Sequence, residues 1–389
     1  MPDTNKRMLD LCPQARRCGG CQLQNMTYEE QLEWKQRLVK RLVGRLCPVE
    51  PILGMDDPYH YRGKVQAAFV TDSKKKIISG VYQSGTHRVV PVDSCLLEDK
   101  TADSVIVTIR KMLPKFGLTT YDERTRKGFL RHVLIRKGFT SGQVLVVLVT
   151  GTPVFPSKNA FVAELIRRHP EITSIVQNIN RAHTSLVLGE QEKTLYGKGT
   201  IEDTMCGLVF RISPRSFYQV NPRQTEVLYN KAIEFADLKG DERVLDAYCG
   251  VGTIGLIAAP HAKEVVGVEV NRDAVRDAVA NAKRNNIKNV WFYCADAGDY
   301  MVDLAEEGEK VDVVLMDPPR AGASMEFLES LLKLSPEKVV YVSCNPETLA
   351  RDLTVLKQGG YTICKVQPVD MFPHTNHVEC VVSLKLNKA

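Results

Sequence analysis

Arg243-Val244-Leu245-Asp246-Ala247-Tyr248-Cys249-Gly250-Val251-Gly252-Thr253-Ile254-Gly255 is the stretch that decides the fold. A strand-sized apolar run ends beside an acid and opens into glycines spaced G-x-G-x-x-G. A turn of this kind, leading from strand into helix, brings backbone N–H groups close to a bound ligand. Glu269 follows Gly250 by nineteen residues at the end of the next apolar run, where a carboxylate can accept from ribose hydroxyls. Spacing alone leaves three readings open: a dinucleotide oxidoreductase, an S-adenosylmethionine methyltransferase, or a glycine-rich turn without a ligand.

Working outward, short apolar runs alternate with helical patterns from about residue 206. Arg243–Ala247, Glu264–Val270, Val290–Cys294, Asp312–Met316 and Lys338–Val342 are the strand candidates. Helices over Asp273–Asn285, Met325–Leu334 and Glu347–Lys357 fall between or after them, which predicts a doubly wound, mostly parallel sheet. Tyr361–Gln367 and Val378–Leu386 are joined too tightly for a crossover helix and should form a terminal antiparallel hairpin. Upstream, 51–205 reads as an α+β region. Its strands lie near 65–70, 131–136 and 143–150, with one helix near 159–168 and turns at Ser79-Gly80, Ser84-Gly85 and Ser141-Gly142. Residues 1–50 hold a Cys/Gly-rich loop and a helix from Tyr28 to about Leu46. The expected organisation is therefore α/β in three parts, 1–50, 51–205 and 206–389.

The chain has 389 residues, of which 44% are hydrophobic and 25% charged, so disordered and collagen-like classes are excluded. No apolar run reaches membrane-helix length, and the polar start Met1-Pro2-Asp3-Thr4-Asn5 is not a secretory signal, which points to the cytoplasm and away from membranes. The net charge of +6 is unevenly spread. Residues 1–205 carry 31 basic and 21 acidic side chains, against 21 and 25 in the remainder. The basic half suggests a polyanion partner. Eleven cysteines without an export signal suggest thiolate chemistry or metal binding rather than disulfides.

Three acids and a thiol converge on one predicted sheet edge. Asp246 lies four residues before Gly250, Asp296 follows the third strand, and Asp317-Pro318-Pro319-Arg320 follows the fourth. With Glu269 they favour S-adenosylmethionine, whose amino-acid end and adenine need such acceptors. Cys344, in Ser343-Cys344-Asn345-Pro346, ends the fifth strand just before a helix, where a thiol's pKa can be lowered. His374-x-x-His377-x-Glu379 lacks the helical spacing of a metal site and reads as a base–acid set. Near the start, Cys12-x5-Cys18-x2-Cys21 needs a fourth ligand. Cys95 is the nearest candidate apart from Cys47, and the spacing does not choose between zinc and an iron–sulfur cluster.

The glycine turn, Asp317-Pro318-Pro319-Arg320, Ser343-Cys344-Asn345-Pro346 and Phe372-Pro373-His374-Thr375-x-His377-x-Glu379, in this order, resemble the RNA uracil-C5 methyltransferases over nearly the whole chain. The resemblance extends to Phe217-Tyr218-Gln219-Val220-Asn221-Pro222. It implies S-adenosylmethionine contacts from Gln219, Tyr248, Gly250, Glu269, Asp296 and Asp317, with Cys344 as nucleophile and Glu379 as general base. Cys18-Gly19-Gly20-Cys21-Gln22-Leu23-Gln24 resembles the 4Fe–4S loop of the ribosomal branch, whose fourth ligand lies in a segment like Val92-Asp93-Ser94-Cys95. The implied ligands are Cys12, Cys18, Cys21 and Cys95.

Residues 110–137 hold nine basic and two acidic side chains. Within them Leu130-Arg131-His132-Val133-Leu134-Ile135-Arg136 looks like a family motif near RNA, so Arg131, Arg136 and Lys137 are expected to meet phosphates. The function implied is 5-methylation of a uridine in 23S ribosomal RNA by a monomer, with transfer RNA as the close alternative. A dinucleotide-dependent oxidoreductase and a non-catalytic iron–sulfur RNA-binding protein are the readings from other classes. Many members carry a small β-barrel domain ahead of the cysteine loop; here Cys12 follows only eleven residues, so that domain is expected to be missing.

Overall fold

The computed structural model describes residues 6–182 and 186–387; Met1 to Asn5, read above as a polar start, lie outside the described residues. Two seven-stranded sheets form the frame. Strands β1 (Lys64–Thr71), β2 (Ile77–Tyr82), β3 (Val89–Pro91), β4 (Leu130–Lys137), β5 (Val144–Thr150), β6 (Ile172–Ile179) and β7 (Gln191–Tyr196) build the first, in the order β3-β2-β1-β4-β5-β6-β7. Its pairings are antiparallel except β5 with β6, which the helix Lys158–Arg168 connects as a crossover.

The solid apolar run Val144-Leu145-Val146-Val147-Leu148-Val149 is explained by burial on both faces. Val144, Val146 and Leu148 pack with the helices Lys100–Lys115 and Lys158–Arg168. Leu145, Val147 and Val149 face the other way and join a core that includes Leu228, Val244 and Leu256 from the C-terminal half. The two sheets thus share one continuous apolar interior.

Two local expectations are corrected here. Ser79-Gly80 is not a turn but the middle of β2, where Gly80 pairs with Ala68 and Pro91. A Cβ at Gly80 would lie 1.9 Å from the Val90 carbonyl oxygen, so glycine is needed for close backbone approach. The region also contains a second helix, Lys100–Lys115, capped by Asp99, whose Oδ1 accepts from Thr101 N and Ala102 N. Its β-branched run Val105-Ile106-Val107-Thr108-Ile109 reads as strand, but Ala102, Val105, Ile106, Ile109, Met112 and Leu113 bury one face at helical spacing.

A hairpin of β8 (Ile201–Met205) and β9 (Leu208–Ile212) leads into the second sheet. That sheet contains β10 (Arg243–Ala247), β11 (Glu264–Glu269), β12 (Val290–Cys294), β13 (Val313–Met316), β14 (Lys338–Ser343), β15 (Tyr361–Val369) and β16 (Glu379–Leu386). Its order is β12-β11-β10-β13-β14-β16-β15; the first five strands are parallel, and β16 runs antiparallel between β14 and β15. The doubly wound sheet and its terminal antiparallel hairpin are as the sequence predicts. The strand order reverses between β10 and β13, which opens a crevice at the carboxyl ends of the strands.

The N-terminal helix Tyr28–Val43 starts with a capping box, Thr27 and Glu30 each accepting from the other's backbone. Val39, Val43 and Cys47 then enter the core of the second sheet beside Val366 and Val382. Residues 48–53 run parallel to β15: Glu50 N donates to Val366 O at 2.8 Å and Leu53 N to Pro368 O at 3.0 Å, covering the sheet's open edge. Among the described residues no helix is long and apolar enough to cross a membrane.

Candidate active site

At the crevice, Asp246 ends β10 and is 1% exposed. Its Oδ2 accepts from Gly255 N at 2.8 Å, tying the acid to the first turn of the following helix. The chain between them needs left-handed backbone: Tyr248, Gly250 and Gly252 have φ of 63, 56 and 80°. A Cβ on Gly250 would meet nothing, because it faces open space, whereas one on Gly252 would strike Phe292 at 2.7 Å. Glu269, at the end of β11, accepts from Gly250 N at 3.1 Å and Asn271 N at 2.8 Å. Asp296 accepts from Gly298 N and Asp299 N, so it caps a helix, Ala297–Glu306, while lining the same cavity.

That cavity measures about 1290 Å³. Gln219, Tyr248, Gly250, Glu269, Asp296, Asp317, Cys344 and Glu379 all line it, so the structure brings together every cofactor and catalytic residue expected from the sequence. Lys198, Arg211, Arg215, Phe217 and Arg276 contribute to the lining as exposed side chains, with Phe217 67% accessible. These rim residues are scattered over 198–276, so no local stretch of sequence announces them; Arg215 pairs with Glu192 at 3.3 Å and Arg276 with Asp273 at 3.1 Å, so the rim is mixed in charge. Tyr229 was also missed; it lines the cavity and its hydroxyl accepts from Gln219 Nε2 at 3.5 Å.

Strand register sets the reactive pair. Along β14 and β16, Lys338 pairs with Lys385 and the ladder continues to Ser343 opposite Cys380. Cys344 follows Ser343 directly and Glu379 precedes Cys380, so both come to the cavity at the end of this ladder, where Glu379 lies near enough to act on the thiol. Glu379 pairs with Val369 of β15, which places it at the start of β16, the strand between β14 and β15. Burial, reinforced by Asp317, pushes its carboxyl up to about 8, against a smaller opposing pull from Arg320. Burial likewise raises Asp317 to about 7 and Asp246 to about 7. The lowering expected of a thiol just before a helix is not what the structure gives: Cys344 is pushed up to about 12 by burial, then by Glu379 and Asp317, with Arg320 acting the other way. Arg320 itself meets His377 Nδ1 at 3.2 Å. The arrangement offers a thiol, a carboxyl able to exchange a proton near neutrality, and buried acids suited to a cationic ligand.

Comparison with known proteins agrees with this geometry. The family model described as tRNA (Uracil-5-)-methyltransferase matches residues 27–387. The chain belongs to that family. An uncharacterized RNA methyltransferase of Oceanobacillus iheyensis is 45% identical over 95% of this chain and 82% of its own length. One from Clostridium tetani is 46% identical over 95% of this chain and 81% of its own. Among solved structures, the tRNA (uracil-54, C5)-methyltransferase of Pyrococcus abyssi, in complex with S-adenosyl-L-homocysteine, is 30% identical with a TM-score of 0.81. The match covers 94% of this chain and 86% of that one.

For a member of this family, the expected RNA contacts need correction. Arg131 and Arg136 are only 4% and 3% exposed. Arg131 donates to the carbonyls of Asn180 at 2.8 Å and Ala182 at 3.0 Å and pairs with Glu123, while Arg136 donates to the Ser216 carbonyl at 2.7 Å. Lys137 pairs with Asp99 at 2.9 Å. Strand β4 is an interior strand of the first sheet, so Arg131 and Arg136 are drawn into tying loops together and do not face outward, while the partly exposed Lys137 at the strand's end is engaged by Asp99.

The cysteines gather in one corner. Cys12, Cys21 and Cys95 pack against Met8, Tyr59, Tyr61 and Leu97. Burial raises Cys21 to about 12, and the nearby Cys12 and Cys18 add to the shift. Arg62 lies close enough to lower the pKa of Cys18 and Cys21. Among the described residues, however, no three His, Cys, Asp or Glu side chains are arranged to hold a metal. The donor type suits a thiolate-bound metal or cluster; the ligating geometry is not formed.

Proposed function

We propose that this protein methylates C5 of a uridine in 23S ribosomal RNA, using S-adenosylmethionine, with Cys344 as nucleophile and Glu379 as general base. The observation that carries the chemistry is that the Cys344 thiol and the buried Glu379 carboxyl line the same acid-lined cavity, near enough for Glu379 to act on the thiol. When bound, S-adenosylmethionine supplies a methyl group on a positively charged sulfur, and Asp246, Asp317 and Glu269 are suited to its charge and hydroxyls. Uracil C5 is a poor nucleophile unaided. Cys344 gives up its thiol proton to water in the open cavity and adds as the thiolate to C6, so that the C–S bond forms as the C5=C6 electron pair moves onto C5. Once C5 is methylated, Glu379 takes its proton, the C5=C6 bond re-forms and the Cys344–C6 bond breaks. The base must leave its stack to reach Cys344, and the exposed Phe217 with Arg215, Arg276 and Lys198 offers a face for stacking and for phosphates.

Cys12, Cys18, Cys21 and Cys95 would hold a 4Fe–4S cluster, with Arg62 offsetting part of the thiolate charge. Anaerobic purification should then give iron and acid-labile sulfide in equal amounts; stoichiometric zinc instead would overturn this part. The ribosomal target rests on the cysteine loop, whereas the 30% identity to a transfer-RNA enzyme favours the second reading. Mapping 5-methyluridine in both RNA classes from cells with and without the gene separates them. For the chemistry, Cys344→Ala should lower methylation of RNA from the deletion strain by at least about 10³-fold and abolish any covalent adduct. Retained turnover would remove Cys344 from the reaction.

A further inference from the structure

The loop from Asp370 to Val378 delivers Glu379 to the cavity, and its carbonyls are held one by one from distant parts of the chain. Met371 O accepts from Asn221 Nδ2 at 2.8 Å, Phe372 O from Lys35 Nζ at 3.1 Å, and Pro373 O from the Tyr61 hydroxyl at 3.0 Å. His374 O accepts from Leu23 N at 3.1 Å. Most of the remaining side-chain contacts come from one face of the helix Tyr28–Val43, on which residues i, i+3 and i+7 align. The Tyr28 hydroxyl donates to Asp370 Oδ2 at 3.0 Å, and Lys35 Nζ meets Asp370 Oδ1 at 2.6 Å with both side chains fully buried. Gln31 grips His374 twice: its Oε1 accepts from His374 N at 2.8 Å and its Nε2 meets His374 Nδ1 at 3.1 Å. His374 needs holding, because its φ of 68° is rarely adopted by a residue with a side chain.

Stability alone is a weak reason for such a design. A buried ion pair contributes little net stability compared with apolar residues of the same volume, but it defines one geometry sharply. We propose that Gln31, Lys35 and Tyr61 are positioning residues for Glu379: they fix the loop so that the carboxyl lies where it can take the C5 proton. The inference rests on the reading of Glu379 as general base. Removing that support should not prevent Cys344 from adding to the ring, so the reaction should stall after methyl transfer.

The test uses four variants of the full chain with deletion-strain RNA, the fourth held for one outcome. Gln31→Met removes both grips on His374 at similar bulk. Lys35→Met combined with Asp370→Asn removes the ion pair without leaving a lone charge. Glu379→Gln is the reference. For the first two, turnover per S-adenosylhomocysteine-binding site should fall about tenfold or more, as a misplacement near 1 Å can cause. Denaturation-resistant protein–RNA adduct should rise severalfold, while S-adenosylhomocysteine affinity stays within about twofold of the unaltered protein, each doubling being only about 0.4 kcal/mol. A purely structural role would lower turnover and adduct together, and that result, or unchanged turnover, overturns the proposal. If Glu379→Gln itself accumulates no adduct, the base assignment is what has failed. If it does and the other variants do not, only the positioning role has failed. Should both designed variants lose S-adenosylhomocysteine binding, Tyr61→Phe, which removes a single hydroxyl, decides: raised adduct supports the proposal and unchanged adduct overturns it.

Discussion

Two sets of buried charge in this molecule have opposite fates. In the first sheet, Arg131 and Arg136 are sunk in the interior with protein carbonyls and Glu123 as partners. In the second, Asp246, Asp317 and Glu379 are sunk in the wall of a cavity, where burial raises all three and Arg320 is the cation that opposes it at Glu379. The partnered cations hold the protein together; the crowded acids are suited to an outside charge. Depth of burial therefore says little about function until the partners are counted.

Substitutions can test that contrast from both sides. The largest effect belongs to the acids. Glu379→Gln should cut turnover about 10²–10⁴-fold while the cofactor-free protein melts no lower, since a costly buried acid has become a neutral amide. Methylation assays with melting curves would decide it, and a large loss of stability would place Glu379 with the structural charges. Arg136→Met should do the reverse. It leaves the Ser216 carbonyl unpaired and should cost about 1–3 kcal/mol in urea unfolding, with turnover per folded molecule preserved.

A smaller effect is expected from pH. Acids whose folded pKa is raised contribute stability that is complete below their unfolded pKa, about 4, and lost as pH rises through the folded value. Asp246 and Asp317 at about 7 and Glu379 at about 8 should thus lower the cofactor-free melting temperature between pH 6 and about pH 8.5. S-adenosylmethionine should counter the fall better than its uncharged-sulfur product, so their stabilising effects should diverge across that range. Parallel curves would mean that the acids do not sense the sulfonium. Smallest is the rim: Arg215→Ala should weaken RNA binding modestly and make its dependence on salt less steep by up to about one unit in log–log slope.

The second sheet was legible because its signals are local. The strand–glycine–helix turn, the acids at strand ends and the short β15–β16 link each imply their own placement. The cysteine loop, Cys344 and Glu379 could be read as motifs for the same reason. Long-range facts were hidden. Arg131 and Arg136 look like an exposed basic strand until β4 is found inside a sheet between β1 and β5. Gly80 reads as a turn because nothing nearby announces that Val90 will lie against it. Lys35 and Asp370 are 335 positions apart, so neither could suggest the other as a partner. The cavity rim drew residues from β7 to the helix after β11, a convergence only the folded chain reveals.

The pairings that flank the Asp370–Val378 loop also carry a consequence for how this gene can change. Val369 faces Glu379 on one side, and Ser343 faces Cys380 on the other. Side chains alternate along a strand, so one added or deleted residue that shifted β16 by a single position would turn Glu379 to the opposite face and bring Val378 or Cys380 to the thiol. The connection's length is therefore itself inherited information. Homologues should accept substitutions along it far more readily than insertions or deletions, and a lineage that gained one residue there should have lost methylation unless it regained the count nearby.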